Sequence, residues 1–158
     1  GKISAKDLNQ NTSTHLPKVI LQMSVNCDAQ TLFALNGIDN RASSTTASYG
    51  YGLGLINNTQ KIGHYALEFS NVVADTQTIY PVESLDGGLT WNSMDGAVWQ
   101  AGALAGFGAD SGINRGPIPI QDMTTDMTVR TEIAAARGLD LANEVLLDGS
   151  ATIEVKYL

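Results

Sequence analysis

The side chains best suited to chemistry in this chain are two imidazoles and one thiol. His15 and His64 are the only histidines among 158 residues, and Cys27 is the only cysteine. The histidines lie in different segments, with no Cys-x-x-Cys or His-x-x-x-His spacing beside them, whereas zinc needs several ligands in suitable geometry. The segment DMTTD at 122–126 offers oxygen ligands for calcium, but the EF-hand spacing and its glycine are absent. The sequence therefore predicts no metal site and no cofactor.

Catalysis by other groups has equally little support. The segment GYGLGL at 50–55 is superficially similar to a phosphate-binding loop, but neither Lys-Ser nor Lys-Thr follows it. A glycosidase needs two carboxyl groups that face each other across a cleft, and nothing in the sequence selects a pair from the 16 acidic residues. We therefore predict that the protein is not an enzyme. A secreted hydrolase with an unrecognised acid pair is the weakest alternative.

Aromatic residues suggest a second alternative, which is binding to sugars. Trp91, Trp99 and Tyr49 could stack on sugar rings. Both tryptophans stand beside strand signals, where aromatic side chains usually pack in the half-buried faces of sheets. A secreted carbohydrate-binding module or tip adhesin therefore remains the runner-up function, and a glycan-array screen separates it from a purely structural role.

Composition restricts the partners and the compartment. Lys and Arg number 9 against 16 Asp and Glu, which gives a formal charge of −7. This balance argues against nucleic acid or anionic membrane as the main partner, because phosphate binding depends on clustered Lys and Arg. Charged residues make up only 16% of the chain, which also contains 16 glycines. Such a surface is typical of secreted β proteins, and the length fits one domain.

The clearest periodicity is an alternation of apolar and polar residues, which predicts strands with one buried face. It occurs in KVILQMSVNC (18–27), HYALEFSNV (64–72), MTVRTEI (127–133) and ATIEVKYL (151–158). The residues predicted to face inward are Val19, Leu21, Met23, Val25, Cys27, Tyr65, Leu67, Phe69, Met127, Val129, Ile133, Ala151, Ile153, Val155 and Tyr157. The pattern predicts an antiparallel sheet protein, and His64 falls on a polar face.

Other segments are less regular. TLFALNGI (31–38), TQTIYPV (76–82) and GAVWQAGAL (96–104) are further strand candidates, and Asp86-Gly87 predicts a two-residue hairpin turn. Residues 40–60 are polar and Gly-rich and predict a long connection, whereas 131–147 predicts loop or strand with a short helical turn. About seven short strands with polar turns predict a β-sandwich.

The C-terminus and Cys27 together connect the chain to a family. The last strand alternates without a polar tail, its penultimate residue is Tyr157, and Gly149 lies upstream. This pattern resembles the chaperone-usher pilins, bacterial fimbrial subunits whose final strand ends in an alternating apolar motif with a penultimate aromatic residue. GKISAKDLNQNTSTHLP, the strand ending VNC, YGLGLINNTQKIGHYAL and SLDGGLTWN are similar to a branch of major fimbrial subunits. The resemblance covers essentially the whole chain.

The resemblance implies an immunoglobulin-like β-sandwich that lacks a strand and is completed by donor-strand exchange. Residues 1–158 would be a single pilin domain without the N-terminal donor extension and first strand. Cys27 would pair with an upstream cysteine absent from this chain. Ile153, Val155 and Tyr157 would line one wall of the donor-strand groove. A further set would lie deeper in the core: Leu21, Met23 and Val25.

The resemblance also implies the partners and the location. The partners would be a periplasmic chaperone, an outer-membrane usher and neighbouring fimbrial subunits in a homopolymer, with no nucleic acid. The location would be an extracellular fimbrium, reached through the periplasm.

Overall fold

The fold is built from two antiparallel sheets, seen in a computed structural model that describes residues 3–109 and 115–158. The first sheet contains β1 (Thr14–His15), β2 (Val19–Thr31), β4 (Tyr51–Gly52), β7 (Gly63–Ala74), β8 (Gln77–Thr78) and β13 (Ile120–Ile133). The second contains β3 (Phe33–Asp39), β9 (Tyr80–Ser84), β10 (Asn92–Ser93), β11 (Leu104–Ala109), β12 (Gly116–Pro117) and β14 (Ala151–Tyr157). The short strands β5 (Leu55–Ile56) and β6 (Gln60–Lys61) form a separate hairpin.

The order of strands decides which backbone edges are open. In the first sheet β2 pairs with β13, β13 with β7, and β7 with β4. In the second sheet the order is β10, β9, β11, β3 and β14. Among the described residues β2 therefore has a partner on one side only, and so does β14. These edges define the candidate site.

The main core fills the space between the sheets. Trp99 is its largest fully buried side chain, and its ring packs 5.2 Å from that of Phe69. The Trp99 indole N–H donates to the carbonyl of Ala103 at 2.9 Å, which satisfies the one polar atom that the ring brings inside. A second apolar cluster consists of Leu53, Ile56, Ile62 and Ile133. All four alternating segments contribute to the two clusters.

Over residues 3–109 and 115–158, helical structure is limited to three short 3-10 turns at Ala5–Asp7, Ala42–Ser44 and Ala136–Gly138, so the prediction of an all-β fold is confirmed. The last of these turns is the short helical turn predicted within 131–147. No helix among the described residues has the length and apolar character needed to cross a membrane.

The expectations about local structure were only partly correct. The described residues form fourteen strands, but seven of these have only two residues, and the seven longer strands match the predicted number. Most of GAVWQAGAL is turn, and β11 begins only at Leu104. Asp86-Gly87 does not form a two-residue hairpin. Instead, the Asp86 carboxylate accepts the backbone N–H of Leu89 and Thr90, which holds a longer connection between β9 and β10.

Candidate functional site

The final strand, β14, exposes one backbone edge. It pairs antiparallel with β3, with Ile153 opposite Gly37 and Val155 opposite Leu35. The N–H of Leu158 donates to the carbonyl of Leu32, and the carbonyl of Ser150 accepts from Asn40. Even-numbered residues of β14 therefore direct their backbone groups toward β3. The N–H and C=O groups of Ile153, Val155 and Tyr157 point to the open side.

The side chains of these three residues face the interior without being fully covered. In an antiparallel pair, directly opposed residues share a face. Val155 and Tyr157 therefore lie on the inner face with their partners Leu35 and Phe33, which are buried. Val155 is nevertheless 47% exposed and Tyr157 is 73% exposed, whereas Ile153 is half-buried against the main core. The inner face of the last strand is thus open to solvent.

The strand β2 forms a second open wall. Leu21 is opposite Met127, Met23 is opposite Thr125 and Val25 is opposite Met123, all through β13. Met23 and Val25 are half-buried against the main core, and Leu21 is 46% exposed. Met23 and Val25 thus pack against the core, whereas Leu21 is more exposed than expected. They lie at a sheet edge because the described residues place no strand beyond β2.

The two open edges lie on the same flank of the molecule. The chain passes from β2 in one sheet to β3 in the other through a single residue, Leu32, and β14 pairs with β3. Inner-face residues of both edge strands, such as Met23 and Ile153, pack against one common cluster. Both edge strands therefore border the same core cluster, and each has backbone groups without a strand partner among the described residues.

Cys27 lies at the end of the β2 wall. It is a free thiol, half-buried and packed against the main core, as its place in the alternation predicts. A disulfide to a residue outside this chain stays an expectation from the resemblance.

The sheet register also creates an arrangement that sequence spacing did not suggest. His15 of β1 and His64 of β7 both lie opposite Glu132 of β13. The Glu132 Oε2 atom is 3.6 Å from His15 Nδ1 and 3.9 Å from His64 Nε2. In the sequence, only the alternation indicates this arrangement of His15, His64 and Glu132, because it puts Glu132 and His64 on the polar faces of their strands.

His64 is buried despite lying on that outer face, contrary to its expected place on an exposed polar face. Residues 42–50 cover it, leaving 6% exposed, and Tyr49 presents an edge to the imidazole at 5.5 Å. The Thr46 hydroxyl lies 2.8 Å from His64 Nδ1. Burial lowers the pKa of His64 below its usual value of 6.5, while Glu132 opposes that shift. The contacts of Thr46 and Tyr49 with His64 hold residues 42–50 onto the first sheet.

The proposed sugar-stacking aromatics do not form one surface. Trp99 is fully buried in the core, so the idea that it forms part of an exposed platform was wrong. Trp91 is half-buried over the second sheet, where a Cβ at Gly106 would stand 2.8 Å from its ring. Tyr49 is 40% exposed but lies against His64 of the other sheet.

A further concavity lies at the second apolar cluster. It has a volume of about 670 Å³ and includes Ile3, Leu8, Leu139, Leu141 and Val145 in its lining. The described part of the chain contains no group of three or more His, Cys, Asp or Glu side chains that could hold a metal ion.

Comparison with known proteins adds no relative from which a role could be transferred. No protein-family model matches the chain, and no curated protein is significantly similar to it. The features of the molecule that bear on function are therefore the open edges of β2 and β14.

Proposed function

We propose that this chain is a structural subunit of a bacterial surface fimbria, assembled by donor-strand complementation through the chaperone-usher route. One observation carries the proposal. The outward-pointing backbone groups of β14 stand beside inner-face side chains, Val155 and Tyr157, that remain exposed. A strand added there would satisfy the backbone groups and cover the apolar side chains in one step.

The opposite wall supports the same proposal. We place the donor-strand groove between β14 and β2, so that an incoming strand with alternating apolar side chains would also meet Leu21, Met23 and Val25 of the β2 edge. An unpaired apolar edge of this kind is an aggregation hazard in a free protein. A periplasmic chaperone would protect the edge by lending a strand, and the neighbouring subunit would replace that strand in the fibre.

Strand addition of this kind also accounts for a filament. The contact joins a groove on one subunit to an extension of another, which makes it heterologous, and heterologous contacts that do not close produce open fibres. The incomplete immunoglobulin-like sandwich, the Cys27 disulfide to an upstream cysteine and the extracellular location belong to this proposal. A sugar-binding role is less favoured, because Trp99 is buried and Trp91 and Tyr49 lie over different sheets.

The test is hydrogen exchange with and without a donor strand. The purified chain is compared alone, with a synthetic peptide of alternating apolar residues, and with a scrambled peptide of the same composition. The alternating peptide should slow exchange at the amides of Ile153, Val155 and Tyr157, because these groups point to the open edge. The already paired amides of Thr152 and Glu154 serve as internal controls.

Co-expression with a periplasmic chaperone and usher supplies the second part of the test. A chaperone complex that protects the same three amides, followed by surface fibres, is the expected result. Exchange at Val155 that is unchanged by both the alternating peptide and the chaperone would contradict the proposal.

A further inference from the structure

The open edge of β14 is complementary to a second copy of itself. Its sequence from residue 153 to residue 157 is IEVKY, in which the two charged residues flank Val155 symmetrically. Two such strands can align antiparallel about a two-fold axis. An alignment centred on Val155 places Glu154 of one copy opposite Lys156 of the other, and does so twice.

Other alignments of the same edge are poorer. An axis at Glu154 brings the two Glu154 side chains together, and an axis at Lys156 brings the two Lys156 side chains together. Opposite charges directly across a strand pair are favourable and like charges are unfavourable. The charge pattern therefore selects the alignment centred on Val155.

The backbone geometry agrees with this alignment. The N–H and C=O of Val155 point to the open side, because the even-numbered neighbours bond to β3. Two Val155 residues facing each other would exchange both hydrogen bonds, and so would Ile153 with Tyr157 of the second copy. Glu154 and Lys156 then meet at a non-hydrogen-bonded position, where the side chains of opposed residues approach most closely.

Burial of apolar side chains favours the same alignment. A two-fold axis perpendicular to the sheet keeps the inner faces of both copies on one side, so the two open flanks meet. Val155 is 47% exposed and Tyr157 is 73% exposed in the single chain, and both would be covered at the junction. The contact is isologous, so it closes at two copies.

We propose that, when no other strand occupies this edge, two copies of the chain associate through β14 in the alignment centred on Val155. The dimer uses the same edge as the proposed donor strand but does not depend on a fimbrial role. It protects the backbone groups and apolar side chains that would otherwise promote aggregation, and a donor strand would compete with it.

The experiment is a charge-reversal series measured by sedimentation equilibrium at about 0.15 M salt, where long-range repulsion between two acidic chains is screened beyond about 8 Å. The wild-type chain should dimerise reversibly. Glu154→Lys and Lys156→Glu should each weaken the dimer about tenfold, because two opposed pairs change from attractive to repulsive.

An equimolar mixture of the two variants is the decisive sample. It should recover the affinity of the wild type, because a chain with two positive side chains then faces a chain with two negative ones. Asp95→Lys is the matched control for Glu154→Lys, since it changes the net charge equally at an exposed turn after β10, at the opposite edge of the same sheet. It should leave the dimer unchanged.

Three results would overturn the proposal: a wild-type chain that stays monomeric at about 100 μM, a dimer that resists both reversals, or a mixture no tighter than its components. None of these would remove binding of an alternating peptide, which needs only the open edge of one chain. Failure of the dimer and failure of the fimbrial proposal are therefore distinguishable.

Discussion

Replacing Val155 by aspartate should strongly weaken the binding of an incoming strand while leaving the chain folded. Val155 lies on the inner face of β14, opposite the buried Leu35, and is 47% exposed when the groove is open. About half of its apolar surface therefore remains for an incoming strand to cover. Since full burial of a valine contributes about 1.5–3 kcal/mol, loss of the uncovered half removes about 1 kcal/mol of binding.

The aspartate adds a second cost. An incoming strand would cover the carboxylate without supplying a partner, and an unsatisfied buried polar group costs about 1–3 kcal/mol. The sum, about 2–4 kcal/mol, corresponds to a binding constant weakened by about 30-fold to 1,000-fold. In the single chain the carboxylate can still reach water. The free energy of unfolding should therefore fall by only about 1–2 kcal/mol, from the lost packing and the lower strand propensity.

The assay is fluorescence polarisation of a labelled peptide with alternating apolar residues, titrated with each variant. Glu154→Gln is the control on the outer face of the same strand, where Glu154 accepts a bond from Asn36, and it should change binding by less than about 0.5 kcal/mol. Val155→Thr keeps the size without the charge and should give an intermediate loss. Equal affinities for Val155→Asp and Glu154→Gln, with both proteins folded by circular dichroism, would refute the groove assignment.

Three further outcomes follow from buried groups. Trp99→Phe should lower the free energy of unfolding by about 2–4 kcal/mol in urea titrations, because it leaves a cavity and removes a buried hydrogen bond; a loss within error would contradict the core assignment. His64 has a folded pKa below its ordinary 6.5, so the unfolded chain binds the proton first. The stability from neutral His64 is therefore complete above that value and falls as the pH drops below it toward the folded pKa. His64→Gln should flatten this dependence of the free energy of unfolding on pH. An unchanged pH profile in the variant would contradict the assignment of the dependence to His64. Cys27 should react with iodoacetamide more slowly in the native than in the urea-unfolded chain, and more slowly still with an alternating peptide bound, as followed by mass spectrometry. Equal rates in all three states would contradict its place on the groove wall.

The alternation of apolar residues was sufficient to predict several elements correctly. Segments 18–27, 64–72, 127–133 and 151–158 correspond to β2, β7, β13 and β14, and each contributes alternating apolar residues to the core clusters. Local chemistry carries this information, because a strand turns successive side chains to opposite faces whatever its partners are. The same reasoning failed for GAVWQAGAL, where the turn at Gly102 with φ +83° leaves Trp99 buried outside any long strand.

The sequence by itself determined the four alternating strands β2, β7, β13 and β14, the side of each that faces inward, and the symmetric charge pattern around Val155. Only the tertiary structure decided that β2 and β14 are both edge strands on one flank, so that Leu21 and Val155 face inward and yet remain exposed. It also decided that His15 and His64 share Glu132, and that residues 42–50 bury His64. The physical reason is that periodicity fixes the direction of a side chain relative to its own strand. Whether that side chain is covered depends on non-local pairing, which brings together residues far apart in the chain.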